Sequence, residues 1–84
     1  MNKTEMKNYE LSRGDNVLIE SGWWVIKNVT RQVWTGDLVL YIQSAMGGRP
    51  KALTVKPDDD VPFGGVKRNG FVIFDNLYDA EKVA

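Results

Sequence analysis

The stretch ESGWWVIKNVTRQVW, residues 20–34, contains all three tryptophans of the chain and predicts its longest β-strand. It is rich in Val, Ile, Thr and Trp, the residue types that favour strands. Ser21-Gly22 predicts a tight turn, after which the strand is expected to run from Trp23 to about Val33. Because successive side chains of a strand point to opposite faces, Trp23 and Trp24 are expected on opposite faces of a sheet.

Strict alternation along this strand leaves neither face continuously apolar. A single β-bulge near Lys27-Asn28 restores an inward-facing stripe, formed by Trp24 and Ile26 before the bulge and by Val29 and Val33 after it. This interpretation places Trp24 in the core and leaves Trp23 partly exposed.

Frequent turn signals divide the rest of the chain into further short strands. These are predicted at Val17–Glu20, Leu38–Gln43, Lys51–Val55, Val66–Arg68 and Phe71–Phe74. Asn69-Gly70 predicts a type I′ turn that joins the last two. The remaining core is expected to include Val17, Ile19, Leu38 or Val39, Leu40 or Tyr41, Leu53, Val55, Phe71 and Ile73, or their strand neighbours.

These elements predict a single small all-β domain over residues 1–84. Its bent antiparallel sheet of about five strands is expected to close into an SH3-like barrel, because closure removes exposed edges. An OB-like barrel is the alternative. Residues 1–10 are expected to be disordered or to form an edge segment, and residues 76–84 a short helix or a flexible tail.

Composition excludes several classes of chemistry. The 84 residues carry no net charge and contain neither cysteine nor histidine. Disulfides, zinc sites built from Cys and His, and Cys–His or Ser–His–Asp nucleophile systems are therefore ruled out. We expect no catalytic residue, no cofactor and no metal. The absence of a long apolar run or a secretory signal predicts a cytoplasmic location.

Three short motifs are interpreted as turns and loops. Arg13-Gly14-Asp15 spells an adhesion motif, but it is expected to be a turn with Asp15 as its cap. The run Asp58–Asp60 lacks calcium-loop spacing and is expected to be a solvated loop. The glycine pairs Gly47-Gly48 and Gly64-Gly65 lack the spacing of phosphate-binding loops.

The segment ELSRGDNVLIESGWWVIKNV resembles small β domains of phage and bacterial origin. Its Gly-Asp-x-Val turn and strand are similar to the start of Hint domains and of SH3-like transcription and ribosome domains. The resemblance implies a small barrel and no particular activity. Hint self-processing needs a Cys or Ser nucleophile and usually a His, and this chain contains neither Cys nor His. It also implies that Trp23 faces inward together with Ile26 and Val29, whereas the alternation argument turns Trp24 inward.

Basic and aromatic residues form the remaining constellation. We predict an interaction surface that contains Trp23, Arg31, Trp34, Arg49 and Lys51, since exposed Trp and Arg anchor protein interfaces. The expected function is that of a non-enzymatic protein-interaction or structural accessory module, phage- or prophage-encoded, with a protein partner or self-association into a homo-oligomer. The alternative is a barrel that binds single-stranded nucleic acid or RNA. No membrane contact is expected.

Overall fold

The computed structural model describes residues 5–76 of the chain. Over that range the chain forms one short 3₁₀-helix at Asn8–Glu10, followed by six strands. The strands are β1 (Asn16–Ile19), β2 (Gly22–Arg31), β3 (Leu38–Ser44), β4 (Lys51–Val55), β5 (Gly65–Arg68) and β6 (Phe71–Asp75). The described part of the protein is therefore all-β, as predicted. The helix or tail predicted at the C-terminus lies outside the described residues from position 77 onward.

The six strands form one antiparallel sheet in the order β4-β3-β2-β1-β5-β6. Strands β1 to β4 follow one another as a meander, and β5 returns to pair with the other side of β1. Within the described residues, β4 and β6 each have a single neighbour. The sheet therefore has two open edges and is not closed into a barrel.

The predicted bulge in β2 is confirmed. Ile26 pairs with Ile42 and Asn28 pairs with Tyr41, so that Lys27 is an extra residue between two regular ladders. An extra residue bends a strand and increases its twist. The bulge also shifts the alternation, which allows Ile26 to be buried and Val29 to pack against the core.

β2 ends two residues earlier than predicted. The amide of Gln32 donates to the carbonyl of Asp37 (2.8 Å), which closes a turn directly after Arg31. Val33 consequently lies in the turn and is 89% exposed, so its assignment to the core was wrong. At the other end of β2 the hairpin turn is Glu20-Ser21, one residue before the predicted position.

The core lies on one face of the sheet. Its buried apolar residues are Met6, Leu11, Val17, Ile26, Leu40, Ile42, Val61, Phe63, Val66 and Phe74. Ile19, Trp24, Leu53, Val55 and Ile73 pack against this cluster. Of the predicted pair Leu40 or Tyr41 it is Leu40 that is buried, while both Leu38 and Val39 are buried.

Phe71 was expected inside, itself or through a strand neighbour, and it is 74% exposed. A register shift between Val66 and Lys67 changes the alternation along β6 and turns Phe74 inward instead.

The segment before β1 and the loop after β4 cover the core together. Val61 donates its amide to the carbonyl of Met6 (2.8 Å), and Asn8 donates to the carbonyl of Asp59 (3.0 Å). Lys7 and Asp60 form an isolated antiparallel bridge between the same two segments. Met6 and Leu11 on one side, and Val61 and Phe63 on the other, are thereby brought into the cluster.

Candidate interaction surface

The five residues predicted to form one interaction surface lie in separate places. Arg31 ends β2, and Trp34 lies in the turn that follows it. Arg49 is exposed in the loop between β3 and β4. Lys51 begins β4 and covers Trp24, whereas Trp23 is half-buried in β2 on the opposite face. Of the five, Arg31 and Trp34 lie at the same end of β2, three residues apart in the chain.

The turn at residues 32–37, here called the hairpin tip, presents Trp34 to solvent. The Trp34 side chain is 97% exposed, and its neighbour Val33 is nearly as open. Single exposed apolar residues are ordinary in soluble proteins, whereas adjacent ones form a patch of the kind that interaction sites use.

Hydrogen bonds hold the hairpin tip in a defined conformation. Besides the bond that closes the turn, Gly36 donates its amide to the carbonyl of Gln32 (2.8 Å). The hydroxyl of Thr35 donates to the Gln32 side chain (3.0 Å) and accepts from the amide of Asp37 (3.2 Å). Gly36 has φ +76°, a left-handed conformation that suits glycine. The exposed ring is therefore carried by an ordered turn.

A shallow cleft of mixed charge lies beside the hairpin tip. Its volume is about 480 Å³, and its walls include Arg31, Asp37, Lys56 and the loop after β4. Lys56 donates from Nζ to Asp37 Oδ1 (3.3 Å), which links the tip to that loop. The cleft contains side chains of both charges: two cations, Arg31 and Lys56, and three carboxylates, Asp37, Asp58 and Asp59.

Each of the two adjacent tryptophans is covered by a lysine. Trp24 packs against the core, and the Lys51 ammonium lies 4.5 Å from its ring centroid. Trp23 lies on the opposite face, where the Lys67 ammonium is 4.4 Å from its ring centroid. The assignment of Trp24 to the core side is confirmed. Because a cation over a ring is itself favourable, these two faces are not free platforms for stacking.

Trp23 lines a small apolar groove on the outer face of the sheet, here called the Trp23 groove. Its volume is about 140 Å³, and it is lined by Leu18, Trp23, Gly64, Gly65, Val72, Phe74 and Asp75. The glycines keep it open: a Cβ on Gly65 would lie 3.6 Å from the Trp23 ring, and one on Gly64 would lie 3.3 Å from Leu18.

The Arg13-Gly14-Asp15 motif has a structural role. The Asp15 side chain is 1% exposed and accepts hydrogen bonds from the amide of Ser12 (2.9 Å) and from Nε and Nη2 of Arg68 (both 2.9 Å). Arg68 also donates to the carbonyl of Glu10. The capping role predicted for Asp15 is confirmed, and its carboxylate is not available to a partner.

The ion pairs change the pKa of their basic members. The hydrogen bond that Arg68 donates to Asp15 raises the pKa of Arg68 above its ordinary value. The contribution of Arg68 to stability is therefore complete at neutral pH and is lost only in strong alkali. The hydrogen bond to Asp60 likewise raises the pKa of Lys7.

The described residues contain no group of three or more acidic side chains placed to hold a metal ion. Asp58, Asp59 and Asp60 are exposed in the loop after β4. Among residues 5–76 no helix is long and apolar enough to cross a membrane.

Comparisons with family models, with curated proteins and with solved structures each return no match.

Sequence reasoning missed two parts of this surface. Val33 was assigned to the core, although the turn residues Thr35-Gly36-Asp37 follow it closely and β2 ends at Arg31. The Trp23 groove depends on Gly64-Gly65, which the sequence shows only as part of an irregular loop. A glycine in a strand often marks a place where another group approaches closely, but it does not identify which group that is.

Proposed function

We propose that this protein is a non-enzymatic interaction module that binds a protein partner through the hairpin tip. One observation carries the proposal: Trp34 is 97% exposed on a turn that hydrogen bonds hold in place. A turn that is already ordered loses little backbone entropy on binding, and aromatic side chains are among the residues that dominate binding energies at interfaces.

The surroundings of Trp34 favour a protein over other partners. Val33 precedes Trp34 in the turn and is also exposed, and Arg31 is exposed at the end of β2, three residues before Trp34. A Trp with an apolar neighbour and an Arg at the rim is the composition that interface centres favour. The mixed charges of the adjoining cleft suit a polar rim.

Site-specific photo-crosslinking tests the proposal. A photoreactive aromatic amino acid, which keeps an apolar ring at the position, replaces Trp34 in one variant and Met46 in a control. Met46 is 96% exposed but lies in the loop between β3 and β4. We expect a discrete protein adduct from position 34 in the native host and none from position 46.

The purified partner then gives the quantitative test. Trp34→Ala is expected to weaken binding roughly 30-fold or more, the loss of an interface anchor worth about 2 kcal/mol, while Met46→Ala leaves the affinity unchanged. Equal affinities for wild type and Trp34→Ala would contradict the proposal.

The alternative function is binding of single-stranded nucleic acid. Trp34 is also the side chain best suited to contact a base. A free indole ring beside Arg31 could stack on a base. The alternative has less support from the other two rings, since Lys51 and Lys67 occupy a face of each. It predicts an oligonucleotide adduct, rather than a protein adduct, from position 34.

The SH3-like barrel remains a proposal about the fold. Its support is the meander of β1 to β4 together with the return of β5 beside β1, and the bend that the bulge introduces into β2. Backbone hydrogen bonds that join β4 to β6 or to the flanking segments, detected by NMR, would establish closure.

A further inference from the structure

One edge of the sheet is open beside the hairpin tip. Among residues 5–76, β4 pairs only with β3. In an antiparallel pair, alternate residues direct their main-chain N–H and C=O groups away from the neighbouring strand. The free side of β4 therefore presents main-chain donors and acceptors along a strand of five residues, a length of roughly 17 Å.

The free side of β4 lacks the features by which sheets block pairing at an edge. The strand contains neither a bulge nor a proline. Its one charged residue is Lys51, and lysine is a common guard of edge strands. The Lys51 ammonium, however, lies 4.5 Å from the ring centroid of Trp24 in β2. Because β3 lies between β4 and β2, this lysine reaches inward across the sheet and away from the free edge.

The free edge is continuous with the hairpin tip. Val55, the last residue of β4, pairs with Leu38, the first residue after the tip. The next residue, Lys56, donates from Nζ to Oδ1 of Asp37 at the end of the tip (3.3 Å). Residues of both segments line the mixed-charge cleft. A segment that lies along β4 can therefore continue through the cleft to the tip.

We propose that the partner of the hairpin tip is an extended peptide segment of another protein, which adds to the sheet as a strand along β4 and continues through the cleft to Trp34. This inference rests on the proposed function, because it names the kind of partner that the same site binds. In such strand addition, main-chain hydrogen bonds supply affinity and side-chain contacts supply specificity.

The chemistry of the edge specifies an extended backbone as its occupant. A row of free N–H and C=O groups is matched by another strand, whereas a helix uses its main-chain groups internally. Leu53 and Val55 pack against the core, and the alternate residues Ala52 and Thr54 are short and exposed. These short side chains leave the edge accessible. The main-chain contact adds to that of the single ring at the tip.

Photo-crosslinking from β4 tests the inference. A photoreactive aromatic amino acid replaces Thr54, and its adducts in the native host are compared with those from position 34. We expect both positions to capture the same protein, and mass spectrometry to map both crosslinks to one continuous segment of that protein. Either no adduct from position 54 or an adduct with a second copy of this chain would overturn the inference.

Hydrogen exchange tests the main-chain pairing, with a synthetic peptide that covers the crosslinked segment as the probe. At a peptide concentration of about 100 times Kd, the outward-directed amides of β4 are expected to exchange up to about 100-fold more slowly, because they exchange only from the free protein. The amides of β6, the other described edge strand, are the control and should be unaffected. Peptide binding without protection in β4 would exclude strand addition.

A matched pair of variants tests the same edge. Thr54 and Thr30 are both exposed, and both pair with Val39 from opposite sides, so they share one face of the sheet. Thr54→Lys places a lysine on the edge strand and is expected to weaken peptide binding about fivefold or more. Thr30→Lys makes the same change in β2 and should leave the affinity unchanged.

Equal affinities for Thr54→Lys and wild type, or equal losses from both variants, would place the peptide away from β4 and contradict the inference. A partner that Trp34→Ala weakens, but that neither protects β4 nor responds to Thr54→Lys, would leave the proposed function standing and overturn the strand addition alone.

Discussion

The Asp15 side chain is buried, and both oxygens of its carboxylate accept hydrogen bonds. Two nitrogens of Arg68 and the amide of Ser12 donate to its carboxylate. Arg68 also bonds the carbonyl of Glu10, so the pair ties β5 to the segment before β1. Removal of one member of such a pair leaves a buried charge without its partner, which is costlier than the loss of an exposed pair.

Arg68→Ala is therefore expected to lower the free energy of unfolding by about 2–3 kcal/mol, less than for a fully buried pair because the Arg68 side chain is 40% exposed. Chemical denaturation measures the change. Asp60→Asn is the control, since it breaks the exposed Lys7–Asp60 pair and is expected to have a much smaller effect. Equal losses from both variants would contradict the structural role of Asp15.

The three tryptophans have separate roles, which stability measurements can distinguish. Trp24 packs against the core, so Trp24→Ala is expected to lower the unfolding free energy by about 2–3 kcal/mol. Trp34 is almost fully exposed, so Trp34→Ala is expected to change the unfolding free energy by less than about 0.5 kcal/mol. A destabilised Trp34→Ala protein would show that the ring is covered in the folded chain.

At the scale of elements, the β5–β6 hairpin depends on a turn with two left-handed residues. Asn69 has φ +54° and Gly70 has φ +84°, as a type I′ turn requires. Gly70→Ala places a side chain in this conformation and is expected to cost about 1 kcal/mol of unfolding free energy. Gly22→Ala is the control, because Gly22 lies outside the left-handed region and a Cβ there would approach nothing closer than 3.9 Å.

The sequence was sufficient to predict elements whose boundaries depend on local signals. The dipeptide Asn69-Gly70 was enough to predict the turn between β5 and β6. The mixed polarity of both faces of β2 was enough to predict its bulge at Lys27. Lys51–Val55 was predicted to the residue. These features depend on residues that are neighbours in the chain.

Features that depend on distant residues could not be predicted. Met6 and Val61 are core residues because two irregular segments pair across the molecule, and no periodicity marks either one. The exposure of Val33 depends on where β2 ends, which a hydrogen bond from Gln32 to Asp37 decides. The Trp23 groove likewise arises from a loop and two strands that meet only in the folded chain.

At the scale of the whole molecule, the open sheet leaves two described edge strands, β4 and β6, with one neighbour each. β4 has a regular ladder without a bulge, and Lys51 is its only charged residue. β6 contains a register shift, which is one way in which natural sheets reduce pairing at an edge. Of the two described edges, β4 is therefore the one better suited to accept a further strand.

The charge of the whole molecule separates the proposed function from its alternative. Residues 13–57 carry six Lys and Arg against three Asp and Glu, and residues 58–84 carry three against six. A weakly basic part of a neutral molecule has few cations to place along a phosphate backbone. Contacts made by an exposed Trp and Val, by contrast, do not depend on pairing cations with phosphates.

A single-stranded oligonucleotide titration, followed by fluorescence anisotropy, is therefore expected to show no binding even at low salt. Binding that involves three phosphates should weaken roughly 20-fold between about 50 and 200 mM salt, because each neutralised phosphate releases counterions. An oligonucleotide affinity that falls in this way, and that Trp34→Ala also reduces, would favour the nucleic-acid alternative. An affinity that Met46→Ala reduces equally would point away from the hairpin tip, since Met46 lies in a different loop.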